Sequence, residues 1–183
     1  MKGILEESAK LKMGLIKQAP LIDKIASAMI STLKKGGKII VFGNGGSAAD
    51  SQHMAAELVG RFRREKKPLP AMALTANTSL ITAISNDYGY EYSFAKQIEA
   101  HGKKNDIVFA ISTSGNAKNV IEAVLTAKKI KLKTIGFSGK DGGGLSKISD
   151  LSLIVPSNST ARIQESHIAI IHILCELIEE AFV

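Results

Sequence analysis

Two short polar segments carry most of the residues that could bind a phosphorylated ligand. Residues 43–50 read GNGGSAAD, and residues 112–119 read STSGNAKN. The second segment offers the hydroxyls of Ser112, Thr113 and Ser114 directly ahead of a predicted helix. Because the first N–H groups of a helix lack partners and its dipole favours negative charge, this segment suits a phosphate monoester. Ordinary helix capping is the alternative interpretation.

Neither segment matches a common nucleotide-binding motif. The serine-rich segment lacks the lysine of a P-loop, which argues against hydrolysis of nucleoside triphosphates. The glycine-rich segment places Ala48 where the dinucleotide fingerprint requires its last glycine. We therefore expect a small phosphorylated substrate.

Two side chains on the helix that follows the glycine-rich segment could act together. His53 and Glu57 are four residues apart, so they lie on one face of a helix and can share a metal ion or a substrate. From spacing alone, an exposed His–Glu pair without further function is the alternative.

The last predicted helix carries a second candidate, His172, among Ile171, Ile173 and Leu174. We expect this helix to be buried, since its apolar residues cover most of its circumference. An imidazole in such surroundings needs a partner, which predicts either a satisfied core histidine or a functional one. The remaining candidates, His101, His167 and Cys175, are expected to be structural, with Cys175 in the core.

The elements that would position these residues form a repeating pattern of strands and helices. The predicted strands are 38–42, 71–74, 106–111, 134–137 and 151–155, and the predicted helices are 48–61, 79–85, 91–101, 119–129 and about 161–182. The strands are apolar without alternation, as in a sheet covered on both faces. The alternation predicts an α/β fold with a doubly wound, five-stranded parallel sheet, and ligands bind beyond the carboxyl ends of such strands.

The chain is predicted to be a single domain over residues 1–183. Residues 4–35 form two helical segments broken at Ala19–Pro20, and we expect residues 1–35 to pack on another subunit. The glycine run at 141–144 is short enough to be one loop.

Composition excludes several classes of protein. Apolar residues make up 45% and charged residues 22%, which is typical of a globular domain. Aromatic residues are only 5%, which argues against a single-strand nucleic-acid reader, so nucleic acid is an unexpected partner. We expect neither a membrane segment nor a secretion signal, and the lone cysteine fits a cytoplasmic protein.

The formal net charge is +7, and the densest basic cluster is residues 61–67. We interpret this cluster as a solvated helix end whose cations complement the helix dipole. Electrostatic steering of an anionic substrate and a polyanion-binding patch are the alternatives.

Five motifs in order make the chain similar to the phosphoheptose isomerases of the sugar isomerase (SIS) domain superfamily. They are Gly43-Asn44-Gly45-Gly46-Ser47, His53 with Glu57, Asn86-Asp87, Ser112-Thr113-Ser114-Gly115, and Arg162-Ile163-Gln164-Glu165 with His172. The resemblance implies a SIS domain with flavodoxin-like strand order. It also implies conversion of sedoheptulose 7-phosphate to D-glycero-D-manno-heptose 7-phosphate through an enediolate, the first step of nucleotide-heptose biosynthesis for polysaccharides such as lipopolysaccharide. Such enzymes are typically cytoplasmic homotetramers with a bound zinc and active sites between subunits.

The resemblance also assigns roles to individual residues. It makes Glu57 the base on carbon, and His172 either the group that moves the proton at oxygen or a group that acts on the opposite side of the substrate. The substrate-binding residues it implies are Asn44, Gly45, Gly46, Ser47, Asn86, Asp87, Ser112, Thr113, Ser114 and Gln164. The zinc ligands it implies are His53, Glu57, Gln164 and His172. Gln164 and His172 are eight residues apart, roughly 80° out of line on a helix, so we expect the metal between chain segments or subunits.

One position departs from the family's pattern. Relatives carry a serine two residues after Gly115, where this chain has Ala117, so one hydroxyl contact to phosphate is lost. The rival hypotheses are an inactive binding module for a replication initiator protein and an isomerase for another sugar phosphate.

Overall fold

Strands and helices alternate in the computed structural model of the protein, which describes residues 1–183. The strands are β1 (Ile39–Gly43), β2 (Ala71–Ala73), β3 (Ile107–Ser112), β4 (Lys133–Gly139) and β5 (Leu151–Val155). The helices are α1 (Lys2–Leu15), α2 (Ala19–Lys34), α3 (Gly46–Val59), α4 (Thr78–Tyr88), α5 (Ala95–His101), α6 (Lys118–Lys129), α7 (Gly143–Ile148) and α8 (Thr160–Glu180). Short 3₁₀ turns lie at Ile16–Gln18 and Tyr90–Tyr92.

The five strands form one parallel sheet in the order β2-β1-β3-β4-β5. This confirms the predicted doubly wound sheet and its flavodoxin-like order. β1 and β3 are neighbours, with Gly43 in register with Ile111. The loops that follow these two strands therefore open side by side at the carboxyl edge of the sheet, where the strand order reverses.

Both faces of the sheet are covered by helices, which explains why the central strands are apolar without alternation. On one face, Val41, Phe109 and Phe137 pack with residues of α2, α3 and α8. On the other face, Phe42 and Val108 pack with residues of α5 and α6. α3 and α8 thus lie on the same face of the sheet, and they contact one another.

Three local predictions differ from the structure. The glycine run expected to be a loop begins α7, whose Leu145 is fully buried. The helix predicted from residue 91 starts only at Ala95, because a 3₁₀ turn comes first. The N-terminal break lies at residues 16–18, and Pro20 instead occupies the first turn of α2, where its missing N–H removes no helical hydrogen bond.

The basic cluster at residues 61–67 closes the C-terminal end of α3, as the sequence predicted. The Lys66 ammonium donates hydrogen bonds to two carbonyl oxygens at that helix end. The buried Glu179 carboxylate accepts hydrogen bonds from the backbone N–H groups of residues 62–64. Burial alone would raise the pKa of Glu179, but these donors and the Lys66 charge outweigh it and lower the pKa. None of the helices is long and apolar enough to cross a membrane.

Candidate active site

A polar cavity of about 180 Å³ lies at the carboxyl edge of β1 and β3. Its lining residues are Asn44, Ser47, Ile111, Ser112, Thr113, Ser114 and Ala117. Ser47 and Ser112 are buried, while Thr113 and Ser114 are partly accessible. The two polar segments singled out from the sequence therefore enclose one cavity, lined by hydroxyl groups at the start of α3 and near that of α6.

The glycines that lead into α3 are required by their backbone and by their neighbours. Gly45 has φ +56°, a conformation that residues with a side chain rarely adopt. A Cβ at Gly46 would lie 2.4 Å from Nε2 of Gln164. The side chain of Gln164 therefore packs directly on this glycine turn.

Asn44 is held by two residues that the sequence analysis did not assign to the site. Its carboxamide exchanges two hydrogen bonds, of 2.8 and 2.9 Å, with the carboxamide of Asn119. The hydroxyl of Tyr90 donates a third, of 2.9 Å, to Oδ1 of Asn44. Asn119 is the last residue of the serine-rich segment 112–119, but nothing in the sequence indicates that Asn119 or Tyr90 contacts Asn44.

A second cluster lies farther along α3, where that helix faces α8. Nε2 of His53 lies 3.1 Å from Oε1 of Glu57 and 3.1 Å from Nε2 of His172. The side chains of His53 and Glu57 are 44% and 22% exposed, so a ligand can reach them. The structure thus brings together the proposed base Glu57, the proposed proton carrier His172 and His53, which are also three of the four implied zinc ligands.

α3 and α8 run parallel, and this places Gln164 away from that cluster within one chain. Gln164 packs at Gly46, whereas His172 packs at His53. Eight residues along α8, at 1.5 Å each, separate Gln164 and His172 by about 12 Å along the helix axis. Gln164 therefore belongs to the glycine turn of its own chain.

The donor atoms of the His53 cluster suit zinc in type, since zinc binds imidazole nitrogen and carboxylate oxygen. The two contacts of 3.1 Å are close to the roughly 3.3 Å between ligand atoms around a tetrahedral zinc with bonds of about 2.05 Å. As the side chains stand, no group of three or more His, Cys, Asp or Glu residues is arranged to hold a metal ion. The residues therefore fit zinc in donor type and in these two pairwise spacings.

Asp50 is a further carboxyl group on this side of α3 that the sequence analysis did not single out as a candidate. One of its oxygens, Oδ2, is buried without a hydrogen-bond partner. Burial raises the pKa of Asp50 to about 6, and the nearby His53 opposes this shift. A carboxyl group with such a pKa changes charge close to neutral pH.

Asn86 and Asp87 lie at the end of α4, three to four residues before Tyr90. Both are exposed, and Asn86 donates a 2.9 Å hydrogen bond to the Asp87 carboxylate. α4 has no buried residue, so it is only loosely covered within one chain. Neither residue lines the cavity described above.

The residues expected to be structural include the one fully buried histidine. His167 contacts the Ser138 carbonyl through Nε2 at 3.1 Å, and burial lowers its pKa to about 4. Cys175 lies in the core, where burial, and then the Glu57 charge, raise the pKa of its thiol to about 12. His172 is only partly buried and faces the open side of the α3–α8 contact, which argues against the alternative of a core histidine.

Comparison with known proteins agrees with this architecture. Residues 6–139 match the family model described as SIS domain. The chain is 56% identical over 160 residues to phosphoheptose isomerase of Helicobacter hepaticus, covering 87% of this chain and 82% of that protein. It is 52% identical over 183 residues to a probable phosphoheptose isomerase of Thermoplasma acidophilum, covering 99% and 98%.

Solved structures agree as well. The phosphoheptose isomerase of Neisseria gonorrhoeae superposes with a TM-score of 0.93 at 43% identity, covering 98% of this chain and 96% of that one. The corresponding values for a phosphoheptose isomerase from Francisella tularensis are 0.94 and 40%, with the same coverage. This chain belongs to the SIS domain family and, within it, to the phosphoheptose isomerases.

Proposed function

We propose that this protein is an aldose–ketose isomerase that converts sedoheptulose 7-phosphate to D-glycero-D-manno-heptose 7-phosphate. The observation that carries the proposal is the placement of two different sites on one helix. Ser47, in the hydroxyl-lined cavity, and His53, in the acid–base cluster, are six residues apart on α3, about 9 Å along its axis. A sugar phosphate that reacts at the end opposite its phosphate would bridge these sites.

The reaction moves a proton between C1 and C2 through an enediolate, and it needs a base on carbon and a proton carrier at oxygen. Glu57 is proposed as the base, and His172 as the group that protonates and deprotonates the substrate oxygens. Their contacts with His53 hold both side chains on the accessible side of the α3–α8 contact. A carboxylate and an imidazole can divide this work when their environments separate their pKa values.

The phosphate end of the substrate is proposed to occupy the cavity. Ser112, Thr113 and Ser114 supply hydroxyl groups, and Ser47 and Asn44 complete the polar wall. The N-termini of α3 and α6 add helix dipoles that favour an anion there. The other sugar contacts implied by the family are Gly45, Gly46, Asn86, Asp87 and Gln164.

Zinc is proposed to be held by His53, Glu57 and His172, with Gln164 as the fourth ligand implied by the family. When bound, the ion would act as a Lewis acid toward the carbonyl or enediolate oxygens. Because Gln164 lies at the glycine turn of its own chain, the Gln164 of another subunit is the proposed source of the fourth ligand.

The protein is further proposed to be a cytoplasmic homotetramer that supplies heptose for polysaccharides such as lipopolysaccharide, with residues 1–35 taking part in assembly. Met13, Ile16 and Ile173 are 67%, 62% and 45% exposed. Ile16 and Ile173 line an apolar groove of about 450 Å³ between the N-terminal helices and α8. A second copy of the chain would cover this groove and bring the exposed Asn86 and Asp87 toward a neighbouring site.

Light scattering after size-exclusion chromatography tests the assembly. Ile173→Asp is expected to shift the protein to smaller species, whereas Leu125→Asp, a similar change at a partly exposed residue of α6, leaves the tetramer intact. A wild-type monomer with full activity would contradict the shared-site proposal.

Nuclear magnetic resonance of the reaction mixture tests the activity. The protein is incubated with sedoheptulose 7-phosphate and, separately, with hexulose and pentulose phosphates. We expect the manno-heptose 7-phosphate to accumulate to equilibrium with the seven-carbon substrate and much slower conversion of the others. Preferred conversion of a shorter sugar would move the proposal to that substrate, and no conversion of any would favour a binding module.

A further inference from the structure

We infer that Asn119 and Tyr90 are positioning residues that fix the carboxamide of Asn44, so that Asn44 serves the bound substrate only as a hydrogen-bond donor. The inference deepens the proposed function, because it concerns how the cavity recognises phosphate, and it rests on that function. Asn119 lies in the first turn of α6 and Tyr90 in the 3₁₀ turn before α5. Neither residue lines the cavity itself.

The hydrogen bonds of Asn44 leave a single free polar function on its side chain. An amide oxygen has two lone pairs, and an amide nitrogen carries two hydrogens. Oδ1 of Asn44 accepts from Nδ2 of Asn119 and from the hydroxyl of Tyr90, each at 2.9 Å. Nδ2 of Asn44 donates one hydrogen to Oδ1 of Asn119 at 2.8 Å. What remains for a ligand is one N–H group.

Burial makes this arrangement hard to undo. Asn119 is only 2% exposed, and its Nδ2 has one other contact, a long one of 3.4 Å to the Ser93 hydroxyl. A buried amide that loses its partner bears the full cost of desolvation, so Asn119 strongly favours the orientation of Asn44 that satisfies both amides. The pair also joins the loop after β1 to the start of α6, the two segments that enclose the cavity.

The chemistry of the free N–H group indicates what it recognises. Asn44 shares the cavity with Ser112, Thr113 and Ser114, whose hydroxyl groups can donate to an anion. A fixed N–H group adds a donor that cannot rotate into an acceptor, so a phosphate oxygen is favoured at this wall over a sugar hydroxyl donating its hydrogen. Asn119 thus contributes to phosphate recognition without touching the phosphate.

A double-mutant cycle on kcat/KM tests whether Asn119 acts through Asn44. Asn119→Leu is expected to lower kcat/KM for the sugar phosphate about 10- to 50-fold, mainly by raising KM. The same change made in the Asn44→Ala background is expected to cost less than about 2-fold. An equal loss in both backgrounds would overturn the inference, because it would show a structural effect independent of Asn44.

Tyr90→Phe provides a milder second variant if Asn119→Leu fails to fold. It removes one donor to Asn44 and disturbs no buried residue, since Tyr90 is 53% exposed. We expect KM to rise about 2- to 5-fold with little change in kcat, and no rise in the Asn44→Ala background. A Tyr90→Phe variant with the KM of the wild type would refute the positioning role of Tyr90.

A binding measurement separates failure of this inference from failure of the proposed function. The protein is labelled with ¹⁵N at asparagine, the Asn44 side-chain signal is assigned with Asn44→Ala, and inorganic phosphate is titrated. We expect one of the two Asn44 Nδ2 protons to shift in wild type and neither to shift in Asn119→Leu. If these shifts occur in a protein that has no isomerase activity, the proposed function is refuted and the inference stands. If the protein is an active isomerase but phosphate does not shift the Asn44 signal, the inference is refuted.

Discussion

His172 and His53 lie with their Nε2 atoms 3.1 Å apart, although 119 residues separate them in the chain. The contact exists because α3 and α8 pack in parallel on the same face of the sheet, with Gln164 at Gly46 and His172 at His53. The contact adds His172 to the His53–Glu57 pair, whose spacing alone was also consistent with an exposed pair that has no further function. The acid–base chemistry proposed for the protein depends on this contact.

Removing either proposed proton-transfer group is expected to abolish turnover without unfolding the protein. Glu57→Gln and His172→Gln should each lower kcat at least about 100-fold, because general acid–base catalysis typically contributes 10²–10⁴. Steady-state rates, circular dichroism and light scattering measure activity, fold and assembly. Glu65→Gln and His101→Gln serve as matched controls that keep wild-type rates. Near wild-type activity in either site variant would refute its assigned role.

Zinc removal is expected to reduce both activity and thermal stability. Dialysis against a chelator should lower kcat and Tm, and one equivalent of zinc per chain should restore them, since a ligand that binds only the folded state stabilises it. His53→Gln should bind zinc more weakly and respond less to the chelator. A metal-free protein with unchanged kcat and Tm would mean that the cluster binds only substrate.

Ala117→Ser is expected to improve both phosphate binding and stability. Ala117 lines the cavity and is also the N-cap of α6, where it makes no side-chain hydrogen bond. A serine that contacts phosphate should lower KM about fivefold, for roughly 1 kcal/mol of added hydrogen bonding. In the unliganded protein the same hydroxyl can cap α6 and raise Tm by about 2–4 °C. An unchanged KM would show that the phosphate does not reach this position.

Stability is expected to fall as the pH drops from about 6.5 toward 4, in part because of His167. Its pKa is about 4 in the folded protein and near 6.5 in the unfolded chain, so only the unfolded chain takes up the proton in that interval. The loss reaches about 3 kcal/mol below pH 4 for a shift of this size. Urea unfolding at several pH values measures it.

The matched comparison for this prediction is His167→Gln, which can still donate to the Ser138 carbonyl but does not titrate. This variant should show a flatter dependence of unfolding free energy on pH, and His101→Gln should retain the wild-type slope. Equal slopes in all three proteins would mean that His167 titrates normally.

The sheet was predictable because its central strands are buried on both faces and therefore read as apolar runs. Strand order then placed the two polar segments at one edge. α7 was not predictable, since a six-residue helix that starts in a glycine run gives too short a periodic signal. The full burial of His167 and the partial burial of His172 were not predictable either, because apolar neighbours in the sequence do not show which side of a helix faces the core.

Contacts between distant segments limited the prediction of the site. The resemblance to a family supplied residues such as Gln164, but only the structure shows that it packs on Gly46. The hydrogen bonds that join Asn44 to Asn119 and Tyr90 span 75 and 46 residues, and asparagine spacing carries no sign of them. Such contacts depend on the packing of elements, which local pattern does not determine.

Glu57 is proposed to transfer the proton at C2, and incorporation of deuterium from the solvent reports on that step. The protein is incubated with sedoheptulose 7-phosphate in deuterium oxide, and the product is followed by nuclear magnetic resonance for wild type and Glu57→Gln. We predict manno-heptose 7-phosphate carrying deuterium at C2 with wild type, and neither product nor exchange with the variant. Product that carries only protium at C2, transferred from C1 without exchange with the solvent, would argue against an exchangeable enediolate, and deuterium incorporation that persists undiminished in Glu57→Gln would refute the role of Glu57.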